Sequence, residues 1–191
     1  MTSTSSESRI SGLEQIIRQS AARGTPPVER WNPPYCGDIG LAIRADGTWF
    51  YRGSPIHRLP LVKLFAGVLR KDDDGRHYLV TPAEKVDVAV EDAPFLAVEM
   101  EWRLPDGQSE FHPELLMRTN VDDLVVVGAA NPLRFATDGA TGGVKPYVRV
   151  RGRLEALLSR ALTHDLLNSA AEHDPPAISS GGCAFPVPLQ P

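Results

Sequence analysis

The stretch IGLAIRADGTWFYR, residues 39–52, decides how we interpret the fold. At its centre lies Ala45-Asp46-Gly47, and an Asp-Gly pair tolerates the left-handed backbone that a tight hairpin turn needs. Aliphatic residues precede this turn and aromatic residues follow it, as is typical of strands. The stretch therefore predicts two strands, over residues 39–44 and 48–52, joined as a hairpin.

The remainder of the first half predicts a helix and a second pair of strands. Five apolar residues recur at the spacing of an amphipathic helix, namely Leu61, Leu64, Phe65, Val68 and Leu69. The helix should end in Arg70-Lys71, whose cations complement the negative end of the helix dipole. Residues 72–75 predict a turn, and residues 76–81 and 85–90 predict strands interrupted at Pro82.

Residues 1–25 predict a helical arm ahead of this first subdomain. Ser11 and Glu14 have the spacing of a capping box, for a helix that ends near Ala22. The prolines in residues 24–37 favour extended backbone, so we expect that segment to cover the sheet as an arm.

The second half repeats the order of strand, turn and strand after Ala93-Pro94, which we take as the boundary between two subdomains. The predicted elements are strands at 96–104 and 109–111 around a turn at 105–107, an element of undetermined type at 115–118, a strand at 124–127 buried on both faces, a Gly-containing loop at 137–143 and a strand at 144–150. A second helix should begin near Arg151, with an apolar stripe of Leu154, Leu157, Leu158, Ala161 and Leu162.

The fold prediction is an α+β protein of two similar subdomains, each a mostly antiparallel sheet with one packed helix. The subdomains span residues 26–93 and 94–170, and the similarity rests on element order alone. Residues 171–191 form a Pro-rich tail, which should be irregular from about Asp174 onward.

Composition excludes several classes of partner. The net charge is −4 and is spread evenly, so we expect no nucleic-acid binding. No apolar run approaches the roughly 20 residues that span a bilayer, and the N-terminal residues lack the apolar core of a secretory signal. We therefore expect a cytoplasmic protein with no membrane partner. Two cysteines, Cys36 and Cys183, are too few for a closed zinc site.

Several short motifs together resemble one bacterial family. They are CGDI at 36–39, DGTWFY at 46–51, PI at 55–56, LF at 64–65, YLVTPAEK at 78–85, VEDAPF at 90–95, TN at 119–120 and PYV at 146–148. The chain thereby resembles the family called domain of unknown function 1285, over roughly residues 30–168. Gly40 departs from the pattern, which leads us to expect a bulkier or more polar residue there, and the Pro-rich tail lies outside it.

The resemblance implies two similar α+β subdomains, the second superficially like a pleckstrin-homology fold. It also implies a pocket at the subdomain interface, a nucleotide-like ligand and a role in signal transduction. These are expectations about the family as a whole.

Catalytic signatures are scarce. No nucleophile elbow, zinc-protease motif or C-x-x-C pair occurs, and the five histidines show no metal-ligand spacing, so we assign no catalytic residue, cofactor or metal. Residues 139–145 lack phosphate-loop spacing and predict a hairpin loop. Cys36 is interpreted as a buried apolar thiol. Glu99 and Glu101 are either a carboxylate pair or a solvent-facing row.

A ligand site is predicted around the subdomain junction. The proposed polar contacts are Thr81, Glu84, Lys85, Asp92, Asn120 and Arg149, with Trp49 as an aromatic wall. The alternative is that Thr81 and Asp92 cap turns, that Lys85 pairs with a carboxylate and that Trp49 packs in a core. Arg149, Arg151 and Arg153 alternate along one face, where they either bind phosphate or pair across strands.

Three functions remain open at this point. The first is a non-catalytic module for a small anionic or nucleotide-like ligand. The second is a small hydrolase or transferase that uses carboxylates such as Glu84 and Glu91. The third is an adaptor for a protein partner through the pleckstrin-like surface and the tail. The missing motifs favour binding over catalysis.

Overall fold

The computed structural model describes residues 10–18, 26–104 and 113–188 of the 191-residue chain. The chain divides into two compact units, Met1–Glu91 and Asp92–Pro191. Residues 10–18 are helical and are named α1. Within the described ranges, no helix is long and apolar enough to cross a membrane.

The first unit contains a six-stranded sheet and a helix. Its elements are β1 (Tyr35–Ile43), β2 (Trp49–Tyr51), β3 (Ser54–Pro55), α2 (Leu59–Ala66), β4 (Leu69–Lys71), β5 (His77–Val80) and β6 (Lys85–Val90). The strand order is β3-β2-β1-β6-β5-β4. β1 and β6 are parallel, and the other neighbouring strands are antiparallel. The sheet is therefore two three-stranded meanders joined at a central parallel pair.

The hairpin predicted from residues 39–52 is confirmed. Ile43 pairs with Trp49, and Leu41 pairs with Tyr51, across the Asp46-Gly47 turn. The indole of Trp49 is buried against Phe65 of α2, and the two ring centroids lie 6.2 Å apart. This contact determines which face of the hairpin points into the core. Each such side chain stabilises the fold by roughly 1.5–3 kcal/mol when fully buried.

The local backbone explains why a glycine occupies position 40. β1 is irregular between Asp38 and Leu41 where it pairs with β6, and Gly40 has a φ of +85°. A Cβ atom at Gly40 would lie 2.9 Å from Cγ of Arg52. A bulkier residue at this position would therefore clash and strain the backbone. Which residue other members of the family carry there stays a prediction.

Helix α2 is shorter than the sequence predicts. It ends at Ala66, and Arg70-Lys71 belongs to β4 instead of the last helical turn. Leu69 pairs with Leu79 of β5 and is fully buried there. Because Leu69 is buried in either conformation, the apolar spacing alone could not separate helix from strand.

The N-terminal segments also differ from the prediction. Ser11 lies inside α1, so the capping box is wrong, and Glu14 instead accepts hydrogen bonds from Arg18 and Arg58. The predicted helix end near Ala22 lies outside the described residues. The expected extended arm contains a 3-10 helix at Val28–Arg30 and gives way to β1 at Tyr35.

The second unit contains a sheet of the same strand order. Its elements are β7 (Phe95–Arg103), β8 (Glu114–Thr119), β9 (Leu124–Val126), β10 (Leu133–Thr137), β11 (Val144–Arg151), β12 (Leu154–Leu158), α3 (Arg160–Ala170), β13 (Ala177–Ser180) and β14 (Cys183–Pro186). The order β10-β11-β12-β7-β8-β9 again joins two meanders at a parallel pair, β12 with β7. The prediction of two similar, mostly antiparallel α+β subdomains is confirmed. The likeness to a pleckstrin-homology fold stays a prediction.

Two predictions for the second unit are wrong, and a third cannot be compared with the structure. No helix begins near Arg151, because buried Leu154 and Leu158 alternate with partly exposed neighbours in β12, and α3 begins only after the cap Ser159. The strand at β9 is not buried on both faces, since it is an edge strand in which Leu124 is 67% exposed. The predicted turn at 105–107 and strand at 109–111 lie outside the described residues.

The Pro-rich tail is ordered as the β13–β14 hairpin, which corrects the prediction of an irregular tail. Ser180 anchors it, because its hydroxyl accepts the N–H of Leu115 at 2.9 Å and donates to the carbonyl of Val127 at 2.7 Å. Ser180 and Ile178 are each only 1% exposed. The tail is therefore a packed part of the second unit.

Candidate functional site

The residues predicted to bind a ligand divide between the two units. Trp49, Thr81, Glu84 and Lys85 belong to the first unit, and Asp92, Asn120 and Arg149 belong to the second. That the two sets share one ligand stays a prediction.

Trp49 and Thr81 occupy structural positions. Trp49 is 1% exposed, and its Nε1 atom is buried without a hydrogen-bond partner among the described residues. The hydroxyl of Thr81 accepts the N–H groups of Ala83 and Glu84, at 3.2 and 3.1 Å, and donates to the Glu84 carbonyl. These contacts favour the alternatives of core packing for Trp49 and turn closure for Thr81.

Lys85 is held in a charged network on the same sheet. Its Nζ atom lies 3.1 Å from Oδ2 of Asp72 and 4.4 Å from the ring centroid of Tyr78. Arg70 also binds Asp72, through Nε at 2.5 Å, and donates to the carbonyls of Val28 and Trp31. Burial alone would raise the pKa of Asp72, but the hydrogen bonds from Arg70 and Lys85 outweigh it and lower that pKa.

Asn120 ties together two segments of the second sheet. Its side-chain oxygen accepts a hydrogen bond from the backbone N–H of Leu96 at 3.1 Å. The backbone N–H of Asn120 in turn donates to the Leu96 carbonyl at 2.9 Å. This reciprocal pair fixes the turn after β8 against the start of β7. The side-chain oxygen of Asn120 is therefore engaged in the fold.

Asp92 accepts two strong hydrogen bonds from β11. Lys145 Nζ donates to Oδ2 at 2.9 Å, and the Tyr147 hydroxyl donates to Oδ1 at 2.8 Å. Burial, followed by this hydrogen bond to Asp92, raises the pKa of Tyr147 to about 12. Lys145 also contacts Asp138 at 3.1 Å, and its hydrogen bond is the main cause that lowers the pKa of Asp138 to about 2.

Lys145, Tyr147 and Arg149 alternate along one face of β11, and we call these three residues the β11 row. Arg134 of β10 lies opposite Tyr147 in register, with its guanidinium 4.2 Å from the ring centroid. Tyr147 thus has Arg134 over its ring, with Lys145 and Arg149 two residues away on either side along β11. Arg151 does not continue the row, because a bulge follows Arg149.

Arg149 differs from the other two cations in its partners. Glu155 lies opposite Arg149 in register, yet both of its carboxylate oxygens accept from Arg134, at 2.9 and 2.8 Å. The exposed guanidinium of Arg149 has no hydrogen bond or ion pair within residues 10–18, 26–104 and 113–188. The guanidinium of Arg149 therefore makes no bond that holds the described parts of the fold together.

Sequence reasoning found Arg149 and Asp92 but missed three of their neighbours. Lys145 and Tyr147 lie in the predicted strand 144–150, and their alternation with Arg149 was an available signal. Arg134 had no such signal, because β10 was not predicted.

The structure also shows where the other residues considered in the sequence lie. Glu99 binds Arg118 of β8 in a bidentate pair on the exposed face, and the described residues contain no group of three or more metal-ligating side chains. Asp138 closes the loop after β10 through the N–H groups of Ala140 and Thr141. Cys36 is exposed, so the interpretation as a buried thiol is wrong.

Two α+β units with the same strand order define this chain as a two-unit α+β protein. The chain belongs to the DUF1285 family: the model described as "Domain of unknown function (DUF1285), N-terminal domain" matches residues 26–93, and that of the "Protein of unknown function (DUF1285), C-terminal domain" matches residues 94–187. The second match includes the tail hairpin, which corrects the expectation that the tail lies outside the family pattern.

Two solved structures are similar to this chain. A DUF1285 family protein from Silicibacter pomeroyi DSS-3 is 44% identical, with a TM-score of 0.80, over 90% of this chain and 91% of that chain. A DUF1285 family protein from Shewanella baltica OS155 is 28% identical, with a TM-score of 0.51, over 68% of this chain and 91% of that chain. No curated protein matches the sequence.

Proposed function

We propose that the protein is a non-catalytic binding module for a small anionic, nucleotide-like ligand, with its site on the β11 row of the second unit. The observation that carries the proposal is the exposed, unpaired guanidinium of Arg149 on the same face as two other cations. Binding without turnover suits a sensor, and we assign the module a role in signal transduction.

The geometry of the row supports this ligand class. A guanidinium presents a planar fork of donors that matches phosphate oxygens. Lys145 and Arg149 lie on either side of Tyr147, each about 7 Å away along the strand. A phosphate bound at Arg149 would leave the half-exposed guanidinium of Arg134 as a planar surface on which a base can stack.

The carboxylate of Glu91, one of the two proposed for a hydrolase, is engaged in the fold. Oε2 of Glu91 accepts the N–H of Ala45 at 3.0 Å and lies 4.0 Å from Arg44, so it holds the β1–β2 turn. Glu84 belongs to the turn that Thr81 closes. The structural contacts of the Glu91 carboxylate support binding over catalysis.

The tail gives less support to an adaptor. Residues that a partner would have to capture from a loose segment are instead packed as β13 and β14, with Ile178 buried. A protein partner therefore stays a prediction without a surface assigned to it.

Calorimetric titration with adenosine monophosphate, and with adenosine as the uncharged counterpart, tests the proposal. We expect the monophosphate to bind and adenosine to bind more weakly. Arg149→Ala should weaken binding of the monophosphate by roughly tenfold or more, because a charge-assisted hydrogen bond contributes about 1.5–3 kcal/mol. Removing an unpaired, exposed side chain should leave the melting temperature unchanged.

Arg160→Ala is the matched control. Arg160 is also an exposed arginine of the second unit, but it lies at the start of α3 and not on the β11 row. Equal losses in the two variants would mean general attraction to positive charge and would reject the site. Wild-type affinity in Arg149→Ala, or no difference between the monophosphate and adenosine, would reject the phosphate contact.

A further inference from the structure

A cavity of about 370 Å³ lies in the first unit, beside β6 at the point where β5 begins. Its wall contains two carboxylates, Asp38 of β1 and Asp87 of β6, together with Arg76 and His77. The volume suits a small organic molecule. The charges of these four side chains decide which ligand the wall can accept.

Asp87 is buried and neutralised from within the fold. It is 8% exposed, and its carboxylate accepts from the Tyr35 hydroxyl and, at 2.5 Å, from Nη2 of Arg76. The guanidinium of Arg76 is thereby committed to Asp87 and also lies over the ring of Tyr78. One positive charge of the wall is balanced by one negative charge.

Asp38 supplies a second carboxylate next to the first. Asp38 and Asp87 are register partners on the adjacent parallel strands β1 and β6. The Asp38 carboxylate accepts the N–H of Gly40 at 2.6 Å and has no cationic partner within the described residues. Like charges on neighbouring strands repel each other, so this part of the wall carries uncompensated negative charge.

We propose that this cavity binds the ammonium group of a small organic amine, with Asp38 and Asp87 as its acceptors. An ammonium group offers three donors and a compact charge, which match two carboxylates separated by one strand spacing.

The chemistry of the wall favours an organic cation over a metal ion. Calcium requires six to eight oxygen ligands, more than two carboxylates supply, and no cluster of three metal-ligating side chains occurs in the described ranges. A guanidinium or ammonium needs only the acceptors already present. The site is separate from the β11 row, which belongs to the other unit, and takes the opposite charge.

Titration with butane-1,4-diamine, butane-1,4-diol and succinate tests the proposal, since these share a four-carbon chain and differ in charge. We expect saturable binding of the diamine alone by calorimetry. Asp38→Asn should weaken it by roughly tenfold or more, because the charged acceptor is lost. The asparagine oxygen can still accept the Gly40 N–H, so the bulge is retained.

Asp46→Asn is the matched control. Asp46 accepts the N–H of Thr48 two residues later, as Asp38 does for Gly40, but it lies in the β1–β2 turn outside the cavity wall. We expect unchanged diamine binding in this variant. Equal weakening in both variants, or diol binding as tight as diamine binding, would overturn the assignment. Wild-type affinity in Asp38→Asn with an unchanged melting temperature would do so as well.

Discussion

His77 should make the first unit lose stability in mildly acidic solution. His77 is the first residue of β5, and it pairs in register with Lys71 of β4 and with Val88 of β6. Burial, followed by the nearby charge of Lys71, lowers the pKa of His77 from its ordinary value of 6.5 to about 4. The unfolded chain therefore binds a proton in a pH range where the folded chain does not.

The direction and size of the effect follow from proton linkage. Stability contributed by the neutral ring is present above the unfolded pKa of 6.5 and is lost as the pH falls towards 4. Between about pH 7 and pH 5, full burial would reduce the free energy of unfolding by roughly 2 kcal/mol. Solvent screening of this half-buried ring reduces the expected loss to about 1 kcal/mol.

Urea unfolding of the wild type and of His77→Gln at both pH values measures this loss. Glutamine is polar and does not titrate, so the variant should show a smaller drop between the two pH values, whatever its stability at neutral pH. Carboxylates such as Asp72 have lowered pKa values and lose their stabilisation at more acidic pH, outside this window. The reasoning is refuted if His77→Gln retains the full wild-type drop.

Two further variants test the fold. Gly40→Ala should destabilise the protein by about 1–3 kcal/mol, because it combines left-handed backbone with the close approach to Arg52. Gly37→Ala, at φ +84° but with nothing within 4 Å, isolates the backbone strain, and an equal loss there would dismiss the clash. Ser180→Ala should cost about 2–4 kcal/mol in urea unfolding, because two buried backbone groups lose their partner. The exposed Ser179→Ala should be nearly neutral, and a neutral Ser180→Ala would contradict the anchoring of the tail.

Local signals in the sequence were sufficient for the hairpin of residues 39–52. An Asp-Gly turn between strand-forming residues fixes its own register, which is why residues 39–52 were predicted correctly. They were insufficient where two periodicities overlap. Leu154 and Leu158 fit one face of a helix, but with Ala156 they also form one buried face of a strand. The signal for the actual start of α3 was its N-cap, Ser159.

The candidate site depended on contacts between strands that the sequence does not reveal. The carboxylate of Glu155 accepts hydrogen bonds from Arg134 and not from Arg149, its partner in register. This pairing is possible because β10, β11 and β12 are neighbouring strands. The sequence places Arg149 on a strand, in alternation with Arg151. Only the pairing of its neighbours distinguishes it from an arginine in a salt-bridge ladder.

The same distinction decides which residues can test function cleanly. Lys85, a natural choice from the sequence, binds the partly buried carboxylate of Asp72. Lys85→Ala would remove a partner of that carboxylate, so a loss of binding could not be separated from a loss of stability. The charged groups of Arg149 and Asp38 have no ionic partner in the described parts of the chain. Their removal changes the charge offered to a ligand without breaking an ion pair of the fold, and function should therefore be tested at these two residues first.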